Sequence, residues 1–97
     1  MSNDKLFSVV LERIARAKKK PAFKTFSKFR DRVENAEKML GLGYVKVAEE
    51  MIDDAEKILY RHEILELSLD YGLEIRAQVR ELLLLGKLDE AMSVVCS

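Results

Sequence analysis

An all-α fold of about five helices follows from three features of the chain. Apolar residues recur at steps of three and four almost throughout, strand-like alternation is absent, and the helix breakers, one Pro and four Gly in 97 residues, fall between the periodic stretches. That length suits one domain spanning 1–97. With 48% hydrophobic and 35% charged residues, the composition is that of a folded, helix-rich chain rather than a disordered one.

Ser2 or Asn3 is placed to cap a first helix that runs to about Lys19, with Phe7, Val10, Ile14 and Ala17 on one stripe and Leu6 and Leu11 widening it. Pro21 ends that helix. It disfavours helical geometry at Lys20 but suits the first turn of a second helix, about Ala22 to Leu40. On this helix Phe26 and Phe29 join Val33, Ala36 and Leu40 in one core-facing stripe, with Phe23 at its edge.

Gly41 and Gly43 are expected to supply positive-φ positions that turn the chain. The third helix, Tyr44 to about Leu69, should bury Tyr44, Ala48, Met51, Ala55, Ile58, His62, Leu65 and Leu69. Gly72 breaks it, and helices from about Leu73 to Leu85 and Leu88 to Val95 follow, separated by Gly86. The expected architecture is a basic helix followed by two antiparallel helical hairpins in a small bundle.

The two glycine turns match when offset by 43 residues: Leu40, Leu42, Gly43, Val45 and Ala48 fall on Leu83, Leu85, Gly86, Leu88 and Ala91. The alanine five positions after the glycine lets two helices cross closely. The stretch Gly86-Lys87-Leu88-Asp89-Glu90-Ala91 resembles the start of the second helix of a tetratricopeptide-type repeat. The likeness covers about 20 residues at each turn, lacks that family's aromatic positions, and has a longer period than its 34 residues. It implies a protein-binding scaffold.

Formal neutrality hides a polar chain. Residues 1–32 carry ten Lys/Arg against three Asp/Glu, and residues 33–97 carry seven against fourteen. Such asymmetry speaks to partners rather than to fold. The basic candidates are Arg13, Arg16, Lys18, Lys19, Lys20, Lys24, Lys28, Arg30 and Arg32, interleaved with Phe23, Phe26 and Phe29. Lys and Arg neutralise phosphates or carboxylates, and an exposed ring stacks on unpaired bases.

The acidic candidates are Glu49, Glu50, Asp53 and Asp54, two like-charged pairs at i, i+4 whose repulsion solvent, the basic third of this chain or of a second copy, a basic partner or a divalent cation would offset, the cation disfavoured by the absence of calcium-loop spacing. A helix-turn-helix reader across Ala36 to Met51 is excluded, because these carboxylates would face phosphate.

Chemistry-bearing motifs are sparse. His62, the single histidine, opens the run His62-Glu63-Ile64-Leu65-Glu66, which resembles a zinc-protease signature but has Glu where the second His is required. Cys96 is the one cysteine, so neither an internal disulfide nor a thiolate cluster is available, and a small apolar role in the last turn is expected. Neither a phosphate loop nor a nucleophile elbow occurs, so no enzyme, cofactor or metal is expected. The N-terminal stretch lacks the apolar core of a secretory signal and no run suits a bilayer span, which points to a cytoplasmic protein.

These features lead to a non-catalytic interaction module, a small regulator, adaptor or inhibitor that docks on a larger protein through a charge-polarised helical surface. Tyr60, Ile64, Leu67, Tyr71 and Leu82 to Leu85 are candidate exposed apolar contacts, unless their helices are central. Self-association of the basic third with the acidic helix is a further expectation. The alternative is nucleic-acid binding by Arg13 to Arg32.

Overall fold

The computed structural model describes residues 2–96, and side chains from Asp4 to Cys96. The expected cap by Ser2 or Asn3 therefore lies outside the described side chains. All regular structure among the described residues is helical: α1 (Ser2–Lys19), α2 (Ala22–Thr25), α3 (Ser27–Gly41), α4 (Val45–Ser68), α5 (Leu73–Leu84) and α6 (Leu88–Cys96). The all-α architecture of a basic helix and two hairpins is present, with one long helix divided in two. The chain forms two compact units, residues 1–58 and 59–97.

In the first unit α1 packs on α2 and α3. Val10, Ile14 and Ala17 of α1 are buried as their spacing requires, while Phe7 and Leu11 remain exposed. Pro21 caps α2 in helical geometry at φ −54° and ψ −34°. The expected Ala22 to Leu40 helix breaks at Phe26, which is extended at φ −116° and ψ 95°.

Thr25, Phe26 and Ser27 are weak helix formers, so interrupting the helix there costs little. After the break Phe29, Val33, Ala36 and Leu40 are buried. Phe26 is only half-buried, which corrects its assignment to the core stripe.

The α3–α4 turn is a Schellman motif. Tyr44 N–H donates to the Met39 carbonyl and Gly43 N–H to that of Leu40, both at 3.0 Å, with Gly43 at φ 89°. Gly41 is the last residue of α3 and has no positive φ, contrary to its expected role.

The buried stripe of α4 also differs from expectation. It runs Ala48, Ile52, Ala55 and Leu59, then steps by five to Ile64 and Ser68. Ala48, Ile52 and Ala55 lie in the first unit and Leu59, Ile64 and Ser68 in the second. Tyr44, Leu65 and Leu69 are exposed, and Met51, Ile58 and His62 are half-buried.

The second unit closes around Ile64, Val79, Leu83, Ala91 and Val95, with Tyr60, Tyr71, Ile75, Leu82, Leu88 and Met92 packed against them. Tyr60, Ile64 and Tyr71 thus serve this core rather than an exposed apolar contact. Leu67, Leu84 and Leu85 stay exposed. Tyr71 O–H donates to the Val95 carbonyl at 2.6 Å, and Tyr60 O–H to Asp89 at 3.3 Å.

The α5–α6 turn repeats the first at an offset of 43. Lys87 N–H donates to Leu82 at 2.9 Å, Gly86 N–H donates to Leu83 at 3.1 Å, and Gly86 has φ 77°. Ala48 and Ala91 are both fully buried after these turns. Among the described residues no helix is long and apolar enough to cross a membrane.

Candidate functional site

The sites read from the sequence lie in the first unit, where the structure divides the basic residues into two sets. Arg13, one helical turn before the buried Ala17, reaches the acidic stretch of α4. Its Nε and Nη donate to the two oxygens of Glu56 at 3.2 and 2.5 Å, and Nη also bonds Asp53. A planar guanidinium suits this forked contact.

The Arg13 side chain is 22% exposed. Its pKa rises still further from the ordinary arginine value, first through the hydrogen bond it donates to Glu56; burial opposes the rise, and the hydrogen bond to Asp53 and the charges of Glu56 and Asp53 add to it. Arg32 Nε donates to Asp54 at 2.7 Å and Lys18 Nζ to Glu37 at 2.9 Å.

Asp53 and Asp54, two of the four predicted acidic site residues, thereby meet the chain's own basic third. Glu56, which the sequence argument did not single out, receives both arms of Arg13. Its spacing of three from Asp53 on one helix face was the available signal. Glu49 and Glu50 have no ion pair among the described residues.

The other basic residues form an exposed elbow around the α1–α2–α3 junctions. Lys19, Lys20, Lys24 and Lys28 are exposed and have no ion pair among the described residues. Lys18 and Lys19, with Arg16, also lie in the last turn of α1, where positive charge suits the helix C-terminus. Among the described residues Arg16 pairs only with Glu12 of its own helix, at 2.5 Å in an exposed pair. Arg30 is half-buried and donates to the Lys24 carbonyl at 3.4 Å, tying α3 to α2 across the break at Phe26.

Phe23 is half-buried beside these lysines, whereas Phe29 is buried and unable to stack on a ligand. Arg13, Arg16, Ala17, Lys20, Phe29 and Glu56 line a cleft of about 140 Å³. Lys18 and Lys19 border another of about 280 Å³ with Leu11, Ile14, Ala15 and Glu37. Both fall below the roughly 300–1,000 Å³ of small-molecule sites.

His62 faces Glu66 at 3.6 Å, and no group of three His, Cys, Asp or Glu among the described residues is arranged to hold a metal ion. Cys96 is exposed, with its thiol 3.3 Å from the Met92 sulfur. No family model, curated protein or solved structure matches this chain.

Proposed function

We propose that this chain is a non-catalytic protein–protein interaction module, a small adaptor or regulator that receives an acidic partner on its lysine elbow. The observation that carries this reading is the unequal use of positive charge. Arg13, Lys18 and Arg32 are engaged by Glu56, Asp53, Glu37 and Asp54, while Lys19, Lys20, Lys24 and Lys28 are exposed and have no ion pair among the described residues.

Clustered unpaired cations accelerate encounter with an acidic surface and orient it. The repeated turn with its buried alanine supports a helical-repeat scaffold similar to the tetratricopeptide type as the frame for docking.

Nucleic acid is the second reading, favoured by half-buried Phe23 among the same lysines. The test is affinity capture from the native cell, with and without nuclease, using the natural chain and a Lys19→Glu, Lys20→Glu, Lys24→Glu, Lys28→Glu variant. A protein retained after nuclease and lost with the variant is the expected result. Nuclease-sensitive capture would select nucleic acid, with log K falling against log salt at a slope of about −4 to −5 on duplex DNA for about five neutralised phosphates. Capture unchanged by the variant would reject the elbow.

A further inference from the structure

The second unit carries a surface that its own core leaves unused. Leu65-Glu66, Leu69-Asp70 and Leu73-Glu74 repeat a leucine–carboxylate pair every four residues across the end of α4 and the start of α5. Leu65, Leu69 and Leu73 are 40%, 56% and 80% exposed, and the three carboxylates are exposed as well. No Lys or Arg lies between Arg61 and Arg76 to neutralise them.

Glu66 has only the long contact to His62 at 3.6 Å, and Asp70 and Glu74 have no ion pair among the described residues. The Leu69 and Asp70 amides bond back to Glu66 and Leu67 at 3.2 and 3.4 Å, keeping the turn compact. Exposed leucines next to unpaired carboxylates, here at the end of α4, in the following turn and at the start of α5, have the composition of a protein-binding surface.

The elbow of the first unit has the complementary pattern. Lys20, Lys24 and Lys28 are spaced by four and four, are exposed, and alternate with half-buried Phe23 and Phe26. We propose that the Leu65–Glu74 shoulder of one molecule docks on the lysine elbow of a second copy of the same chain. Three exposed carboxylates offer charge opposite to that of three exposed lysines, and the leucines would cover the phenylalanine edges beside them.

The two surfaces differ, so the contact is heterologous and the mass grows with concentration. Assembly covers the elbow and competes with the acidic partner proposed above. It rests on different residues of the second unit, so either idea can fail alone.

Sedimentation velocity tests it, with Lys20→Glu, Lys24→Glu, Lys28→Glu in one variant and Glu66→Lys, Asp70→Lys, Glu74→Lys in another. All six positions are exposed, and circular dichroism checks that the helices persist. The natural chain should exceed its 11.2 kDa monomer mass at about 0.1 mM in low salt and return towards it near 0.5 M salt.

Each variant alone should remain monomeric, and an equimolar mixture should recover a species of at least twice 11.2 kDa. Leu69→Ser with Leu73→Ser should weaken assembly at every salt concentration. A natural chain that stays monomeric throughout, reversals without effect, or a mixture that stays monomeric would each overturn the proposal. The Glu66, Asp70 and Glu74 reversal should leave partner capture intact, separating the two ideas.

Discussion

Residues 1–58 contain every Lys/Arg-to-carboxylate ion pair found among the described residues, whereas residues 59–97 close their core with tyrosine hydroxyls and have no such pair. The units nevertheless use the same Schellman turn and the same buried alanine five residues beyond its glycine. Turn chemistry is thus a local property that both units share. The fastening between helices depends on which charges each stretch contains.

Thirteen Lys/Arg and ten Asp/Glu fall in the first unit, and four and seven in the second. The first can satisfy many charges internally, while the second retains an acidic surplus at its surface. The Tyr60 hydroxyl lies within that surplus. Its pKa is raised, first by burial and then by the charge and hydrogen bond of Asp89.

Core truncation is the strongest way to break this comparison. Ile52→Ala and Ile64→Ala remove fully buried side chains on either side of the slip in α4, and each should cost about 2–5 kcal/mol. Hydrogen exchange should show protection falling most in α1 and α3 for Ile52→Ala and most in α5 and α6 for Ile64→Ala. Identical loss across both units in each variant would show that they open together.

Removing the fasteners is expected to have a smaller effect. Arg13→Ala should destabilise by about 1–2 kcal/mol, above a typical exposed pair and below a fully buried one. The penalty should shrink in high salt. Tyr71→Phe, which removes the bond to Val95, should cost about 1 kcal/mol with little salt dependence. Equal salt dependence in urea titrations of the two variants would erase the distinction drawn here.

The shared turns give effects of about the same size as the fasteners, and a neighbouring glycine gives the smallest effect, of opposite sign. Gly43→Ala and Gly86→Ala meet no steric obstacle but force alanine into left-handed backbone, for about 1–2 kcal/mol each. Gly41→Ala places alanine at a helical position and should stabilise by about 0.5–1 kcal/mol. Thermal melts check both signs.

The punctuation of this fold was legible because it is local. Pro21, Gly43 and Gly86 act through their own backbone geometry, and the likeness of the two turns was visible residue by residue. The stripe of α4 was less legible. Tyr44, Met51, Ile58 and Leu65 continue one apolar register while Ala48, Ile52, Ala55 and Leu59 follow another, and only tertiary packing selects between them.

The break at Phe26 has neither proline nor glycine to announce it. At the candidate site, the charge blocks were clear but their pairing was not, since Arg13 and Glu56 stand 43 residues apart. The division between units at 58 also falls well beyond the charge boundary at 32, so net charge marked a composition change rather than a structural border.

The placement of the ion pairs has a consequence for synthesis of the chain. Arg13, Lys18 and Arg32 find all their carboxylates by residue 56. As the polypeptide leaves the ribosome at about 5–20 residues per second, the first unit has its complete set of partners before the second unit emerges. Its basic arm can thus be neutralised in part before the acidic residues of the second unit leave the ribosome.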